Sequence, residues 1–435
     1  MTILIRGGDL VDPEKGLLEK QDIIIEGGRI SRILPSGAFT ESGPGISIID
    51  ASGRLIIPGM IDMHVHLREP GYEYKETIET GSIAGVAGGF TGLACMPNTD
   101  PANDNVSVTE FILRQAARAG KLNVYPIAAI TKGRKGETLT EFGDLKKAGA
   151  VGVSDDGSPV VNSELMRRAI EYARYHGLAV ISHCEDTNLS GEGVMHEGTV
   201  STQIGLKGIP SASEEVMVQR EISLARLTGC PVHIAHVSTS GSVDAIRRAK
   251  EDGVPVTAET APHYFSLDHG SVAGYNTNAK INPPLRTHED VLAIKRGLAE
   301  DVIDIIATDH APHNLLEKNL EFDKAAYGII GLETALPLTL ALVREGVLTI
   351  QAAIRKLTYS PASILRIDRG VIREGAVADL AVIDPECEYI LKEEDILSKS
   401  KNTPFLGKKL KGRNTLTISE GQIVWSRDSK YIGCR

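Results

Sequence analysis

Basic charge is not in excess in this chain of 435 residues: 47 Lys and Arg stand against 57 Asp and Glu, for a net charge of −10 and a pI of about 5.7. Phosphate backbones require a basic face, so nucleic acid is excluded as a partner. No window offers about 18 consecutive apolar residues, so no membrane span is expected. The opening "MTILIRGGDL" lacks the long apolar core and small-residue cleavage site of a secretory leader, which points to the cytoplasm. The five cysteines (Cys95, Cys184, Cys230, Cys387 and Cys434) are odd in number and scattered, with no CxxC spacing. They fit reduced thiols rather than a disulfide framework. Cys184, beside a histidine used below, reads as filler on the opposite side of its strand. Low-complexity tracts and short repeats are absent too.

What is present is an ordinary globular balance: 42% apolar residues and a mean hydropathy of −0.07. That length carries one large domain and a smaller one. Residues 1–57 read as short β segments with turns ("ILIRGG", "DIIIEGGRISRIL", "SIIDASGRLIIPG"). Residues 370–435 repeat the style in "GVIREGAVADLAVIDP" and "NTLTISEGQIVWS". The two ends are expected to pair into one small β domain, a β-sandwich flanking the middle.

Residues 58–369 alternate between apolar runs and helical spacing. The runs are "GMIDMHVH", "TGLACMPN", "NVYPIAAI", "AVGVSDD", "AVISHCE", "VHIAHVS", "PVTAETAP" and "DIIATDH". Segments such as "NSELMRRAIEYARYHG" and "SVDAIRRAKEDG" lie between them. Eight strands with intervening helices predict an α/β fold, a (β/α)8 barrel, although a doubly wound sheet alternates similarly. "NLLEKNLEFDKAAYG" (314–328) reads as a loop after the last strand, either a solvated connector or a lid.

Chemistry-bearing residues gather at the C-terminal ends of these runs, where a barrel builds its site. The first ends in His64 and His66, the fourth in Asp155 and Asp156, and the fifth in His183. His236 lies late in the sixth, and Asp309 ends the eighth. Alternation sends His64 and His66 to one face and Met63 and Val65 to the helices, and an extended path would keep Arg68 on the histidines' side. Metal binding is only one of several histidine roles, so the inference rests on convergence. His233, three residues before His236, should face the other way and is read as structural. His176 suits a helix C-terminus. His196, His269 and His288 stay unassigned. Imidazoles and carboxylates without thiolates suit Zn, Mn, Fe or Co. One metal takes about four ligands, so six protein ligands suggest two metals sharing a carboxylate. Two dications, two aspartates and one hydroxide leave about +1, and Arg68 adds to a pocket that favours an anionic substrate.

The run "PGMIDMHVHLREPG" resembles the first-strand signature of the amidohydrolase superfamily. With "GGFTGLACMPNTDP", "SDDGSPV", "HIAHVST", "NPPLR", "ATDHAPH" and "YGIIGLETALPL", the chain is similar over nearly its whole length to the class I dihydroorotase family. That resemblance implies the reversible interconversion of N-carbamoyl-L-aspartate and dihydroorotate plus water in pyrimidine biosynthesis. It implies two Zn2+ per subunit, held by His64, His66, Asp156, His183, His236 and Asp309, with Asp309 also the catalytic proton shuttle. His66, Arg68, Asn98, Asn282 and His313, with the backbone at Tyr327 and Gly328, would bind the substrate. The spacing to His183 favours Asp156 over Asp155 as the bridge, though a bulge would let either face inward. Partners compatible with the resemblance are a second copy of the chain and an aspartate transcarbamoylase. Alternatives are an allantoinase- or hydantoinase-like enzyme, disfavoured because "SDDG" offers no lysine and neutral rings need no Arg68, and a non-catalytic scaffold, which should have lost ligands. The chain departs from the family's pattern in carrying Tyr327 where Phe is expected and Tyr264 where a second His is common.

Overall fold

The computed structural model describes residues 2–39 and 45–428; Cys434 lies outside them. Four cysteines, Cys95, Cys184, Cys230 and Cys387, are free thiols. Among the described residues no helix is long and apolar enough to cross a membrane.

The N-terminal segment supplies β1 (Thr2–Asp12), β2 (Leu17–Glu26), β3 (Arg29–Pro35), β4 (Ile46–Asp50) and β5 (Leu55–Pro58). The barrel strands begin with β6 (Met60–Val65), β7 (Phe90–Cys95), β8 (Asn123–Ala128), β9 (Gly152–Val153) and β10 (Ala179–Ser182). A two-stranded ribbon, β11 (Met195–His196) and β12 (Gly208–Ile209), interrupts them. The barrel resumes with β13 (Val232–Ile234), β14 (Val256–Thr260) and β15 (Ile305–Ile306). The C-terminal segment adds β16 (Leu380–Ile390), β17 (Lys409–Ser419) and β18 (Gln422–Ser426).

Both termini share one sheet of order β18-β17-β16-β5-β1-β2-β3, with β4 beside β1. β5 joins the halves. It runs parallel to β1 and antiparallel to β16, where Ile57 faces Ala381. Ile23, Ile25, Ile56, Leu380 and Val382 bury one face of this sheet. Gly59 then turns the chain directly into β6.

The eight parallel strands run β15-β14-β13-β10-β9-β8-β7-β6. The ring closes through a parallel bridge between Val65 and His310, where His66 N donates to His310 O at 2.8 Å. The chain is therefore a (β/α)8 barrel flanked by a β-sandwich built from both ends. The connecting helices form where the spacing predicts them. Ser163–His176 is capped by Asn162, whose side chain accepts from Glu164 N and Leu165 N, and Gly177 ends it at φ 67°. Ser240–Glu251 starts from Thr239, which accepts from Ser242 N.

One expectation about orientation fails. β6 carries a bulge: Asp62 and Val65 oppose Leu93 and Cys95, so three residues span the distance of two. Val65 packs with the helix-side core. Met63 does not. It joins Ile61, Ala94, Met96, Ile127, Ile181, Ala235 and Ile305 in an apolar layer inside the barrel. The bulge lets Met63 support this layer while His64 and His66 still turn into the mouth above it. Met63 is fully buried, so Met63→Ala should destabilise the protein by about 2–5 kcal/mol in urea unfolding.

Candidate metal centre

Asp156 is the centre of the barrel mouth. Its carboxylate lies 3.4 Å from His64 Nε2, 3.6 Å from His66 Nε2, 3.5 Å from His183 Nδ1 and 3.4 Å from His236 Nε2. Two groups of donor atoms result, His64 with His66 and Asp156, and Asp156 with His183 and His236, each within 4.8 Å. Asp309 adjoins the first group, 3.0 Å from His66 Nε2 and 3.6 Å from His64 Nε2. Asp155 turns away and accepts from Thr131 N and Oγ1. The geometry thus separates the two neighbours that the sequence left open.

The backbone bends to make this arrangement. Arg68, His236 and Asp309 adopt φ of 63°, 34° and 48°, in the left-handed region that side chains avoid. Such residues cost of order 1–3 kcal/mol each and persist only where the surroundings impose them. Arg68 therefore reaches the site through a turn rather than along an extended path.

The donor set fits a cation. His64 Nε2 and Asp156 Oδ1 are buried and have no hydrogen-bond partner among the described residues, a costly state for polar atoms at the centre of a fold. Four imidazoles with two carboxylates match the preferences of a borderline transition metal. Electrostatics in the protein alone point the same way. Burial opposes charge on His64, yet Asp156 and Glu259 hold its pKa well above the usual value. Burial likewise lowers the pKa of His183, and Asp156 and Glu185 overcome that and raise it to about 10. These carboxylates attract positive charge, and a metal that takes the imidazoles must displace their protons.

Outer partners fix three of the four rings. Glu259 Oε1 lies 2.5 Å from His64 Nδ1, and Asn98 Oδ1 lies 2.8 Å from His66 Nδ1. Those nitrogens donate, which frees both Nε2 atoms toward Asp156. Glu185 Oε2 takes His183 Nε2 at 3.0 Å and Asn282 Nδ2 at 2.9 Å. His233 does not face away from the barrel. Its Nε2 lies 3.2 Å from Glu259 Oε2, one layer beneath the cluster. Asp62 accepts from the backbone of His64 and Thr308. Sequence reasoning passed over Glu259, Glu185 and Asp62, although the two-residue strand period held the signal. Asp62 precedes His64 by two, Glu185 follows His183 by two, and Glu259 shares a face with Thr257.

A cavity of about 210 Å³ opens over the cluster, bounded by His66, Arg68, Asn98, Asp156, His183, His236, Asn282, Asp309, His313, Tyr327 and Gly328. Of the site residues expected from the sequence, only His64 is not on this wall; it lies beneath, fully buried. Burial draws the pKa of Arg68 down to about 10, which leaves it charged at neutral pH. Arg68 Nε donates to Pro312 O at 3.1 Å and Nη2 to His313 Nε2 at 3.2 Å, and Nη1 has no hydrogen-bond partner among the described residues. The two departures from the family pattern both satisfy backbone. Tyr327 Oη donates to Gly193 O at 2.8 Å and Tyr264 Oη to Pro283 O at 2.7 Å.

Comparison with known proteins agrees with this geometry. A family profile described as dihydro-orotase-like matches residues 53–242. A dihydroorotase of Geotalea daltonii is 54% identical over 98% of this chain and all of its own length. A dihydroorotase of Geobacter sulfurreducens is 56% identical over 98% of this chain and all of its own. Among solved structures, the L-hydantoinase (dihydropyrimidinase) of Arthrobacter aurescens superposes with a TM-score of 0.87 at 23% identity, over 98% of this chain and 96% of that one; at that identity the likeness shows the fold alone.

If Glu259 orients His64 as the distances indicate, Glu259→Gln should leave the fold intact and weaken divalent-metal affinity about 10–100-fold, read by competition with a chelator.

Proposed function

The chain belongs to the dihydroorotase family, and from that premise we propose that its barrel mouth hydrolyses the ring of dihydroorotate to N-carbamoyl-L-aspartate and closes it again in reverse, as a dihydroorotase. The observation that carries this reading is a buried arginine with a free edge beside a carboxylate shared by four imidazoles. The first suits an anionic ring and the second suits metal-assisted amide chemistry. A neutral cyclic amide would leave the Nη1 edge of the desolvated Arg68 without an acceptor.

We take the cofactor to be two zinc ions per subunit; His64, His66 and Asp309 would hold one, His183 and His236 would hold the other, and Asp156, which belongs to both donor groups, would contribute to each. When bound, such a pair supplies Lewis acidity toward the amide carbonyl and makes water a nucleophile near neutral pH. The remaining work falls to side chains. The Nη1 edge of Arg68 receives the substrate carboxylate through charge-assisted bonds, and Asn98 Nδ2 lies on the same wall. His66 borders the substrate space through its ring. Asn282, held by Glu185, and the backbone of Tyr327 and Gly328 face the pyrimidine ring. Asp309 accepts a proton from the attacking water as the carbonyl carbon gains its new C–O bond. The C–N bond then breaks, and Asp309 returns that proton to the departing ring nitrogen. The reverse sequence closes the ring and releases water. A cytoplasmic setting suits free thiols and an internal metabolite.

The deciding experiment is turnover of dihydroorotate by metal-loaded protein, with a chelated sample alongside. Turnover that chelation abolishes supports the reading; a metal-loaded protein that leaves the ring intact overturns it. Asp309→Asn should retain the fold and lose about 10²–10⁴-fold in both directions. Arg68→Lys keeps a charge but loses the planar fork, and KM for dihydroorotate should rise by about tenfold or more.

A further inference from the structure

The segment after the last barrel strand is no plain connector. Asn314 caps a helical turn, Leu315–Lys318, with its side chain accepting from Glu317 N at 2.9 Å. Leu315 and Leu316 are each 78% exposed. The next two side chains run inward, toward opposite sides of the pocket.

Glu317 goes to the arginine side. Its Oε1 pairs with Lys75 Nζ at 2.8 Å, and its Oε2 lies 3.3 Å from His313 Nδ1. Arg68 Nη2 can only donate, so His313 Nε2 accepts its 3.2 Å bond and the proton sits on Nδ1, where it faces Glu317 Oε2 although Lys75 Nζ also lies 3.4 Å away. Glu317 therefore acts on the guanidinium through one imidazole, by fixing its tautomer.

Lys318 goes to the ring side. It is 3% exposed, and among the described residues no carboxylate forms a salt bridge with it. Its Nζ donates to Ala326 O at 2.8 Å and Gly328 O at 3.1 Å, and lies 3.4 Å from Lys280 O. Lys280 makes the reciprocal tie. Its Nζ donates to Phe322 O at 2.7 Å and Asp323 O at 3.0 Å and stands 4.3 Å over the Tyr327 ring. Gly328 N donates back to Lys280 O at 2.9 Å. A buried ammonium is costly, and these two are satisfied by carbonyls and an aromatic face. The carbonyls belong to the segment that carries Tyr327 and Gly328 and to the strand-end loop that leads into Asn282. Gly328 itself tolerates no side chain: at φ 154° a Cβ would stand 2.5 Å from Ala311 O.

We infer that the turn Leu315–Lys318 is a specificity element in which two consecutive positioning residues set the two halves of substrate recognition: Glu317, through His313, aims Arg68 at the carboxylate, and Lys318, with Lys280, holds the backbone of Tyr327 and Gly328 against the ring. This rests on the dihydroorotase reading above. Neither residue touches the reacting atoms, so both act on binding.

The test uses full-length, metal-loaded protein and the variants Glu317→Ala, Glu317→Gln and Lys318→Met, with Tyr327→Phe as a milder cut that removes only the tie to Gly193 O. For Glu317→Ala and Lys318→Met, KM for dihydroorotate should rise at least about tenfold while kcat changes less than about threefold. Glu317→Gln keeps an acceptor for His313 and should recover most of the KM. Hydrogen exchange without substrate should quicken at amides 325–330 in Lys318→Met, and to a smaller degree in Tyr327→Phe, but not in Glu317→Ala. Unchanged KM and exchange in the variants, or a loss confined to kcat, overturns the inference while wild-type turnover stands. A wild-type protein without turnover sinks the functional reading, and the exchange measurement then still decides whether Lys318 holds the segment.

Discussion

One carboxylate organises this molecule. Asp156 lies within 3.6 Å of imidazole nitrogens from three barrel strands. Mutual attraction among these groups offsets part of their burial, yet His64 Nε2 and Asp156 Oδ1 have no hydrogen-bond partner among the described residues. Such a knot cannot form on a flexible surface, because its members come from distant parts of the chain. It needs a closed ring of strands with their ends in register, and the barrel supplies that. The interior layer of Ile61, Met63, Ala94 and Ile181 beneath it keeps the floor dry and rigid.

Around the knot the protein spends its other acids on orientation. Glu259, Glu185 and Asp62 occupy the buried surroundings of the ligands and receive imidazole or backbone hydrogens. The same economy appears at the substrate walls. His313, Pro312 O and Glu317 orient one guanidinium, and Asn402 Nδ2 bonds both Ala311 O and Gly328 O at 3.0 Å. Recognition groups that are already held in place lose little freedom when a ligand arrives.

Much of this was legible in the residues. The strand-end positions of His64, His66, His183 and Asp309 follow from apolar runs that end in polar groups, and the paired helix caps at Asn162 and Gly177 bound a helix where the pattern puts one. What escaped was geometry that no period encodes. A bulge in β6 turned Met63 inward against strict alternation. Left-handed backbone at His236 brought that ring into the mouth although Ala235 already faces the interior. His233 was set aside by the same alternation and proved to share Glu259 with His64. Asp155 and Asp156 could be told apart only once Thr131 was seen to occupy the first.

The ring's final seam is narrow. Where other neighbouring barrel strands share ladders, the described residues join β6 to the segment after β15 through one backbone bridge, Val65 to His310, reinforced by the His66 amide and by Thr308 N donating to Asp62. That stitch lies between His64 and His66 on one lip and Asp309 on the other. Fraying there would part the ligands while the surrounding helices stay wound, so the geometry of the centre depends on a local opening smaller than global unfolding.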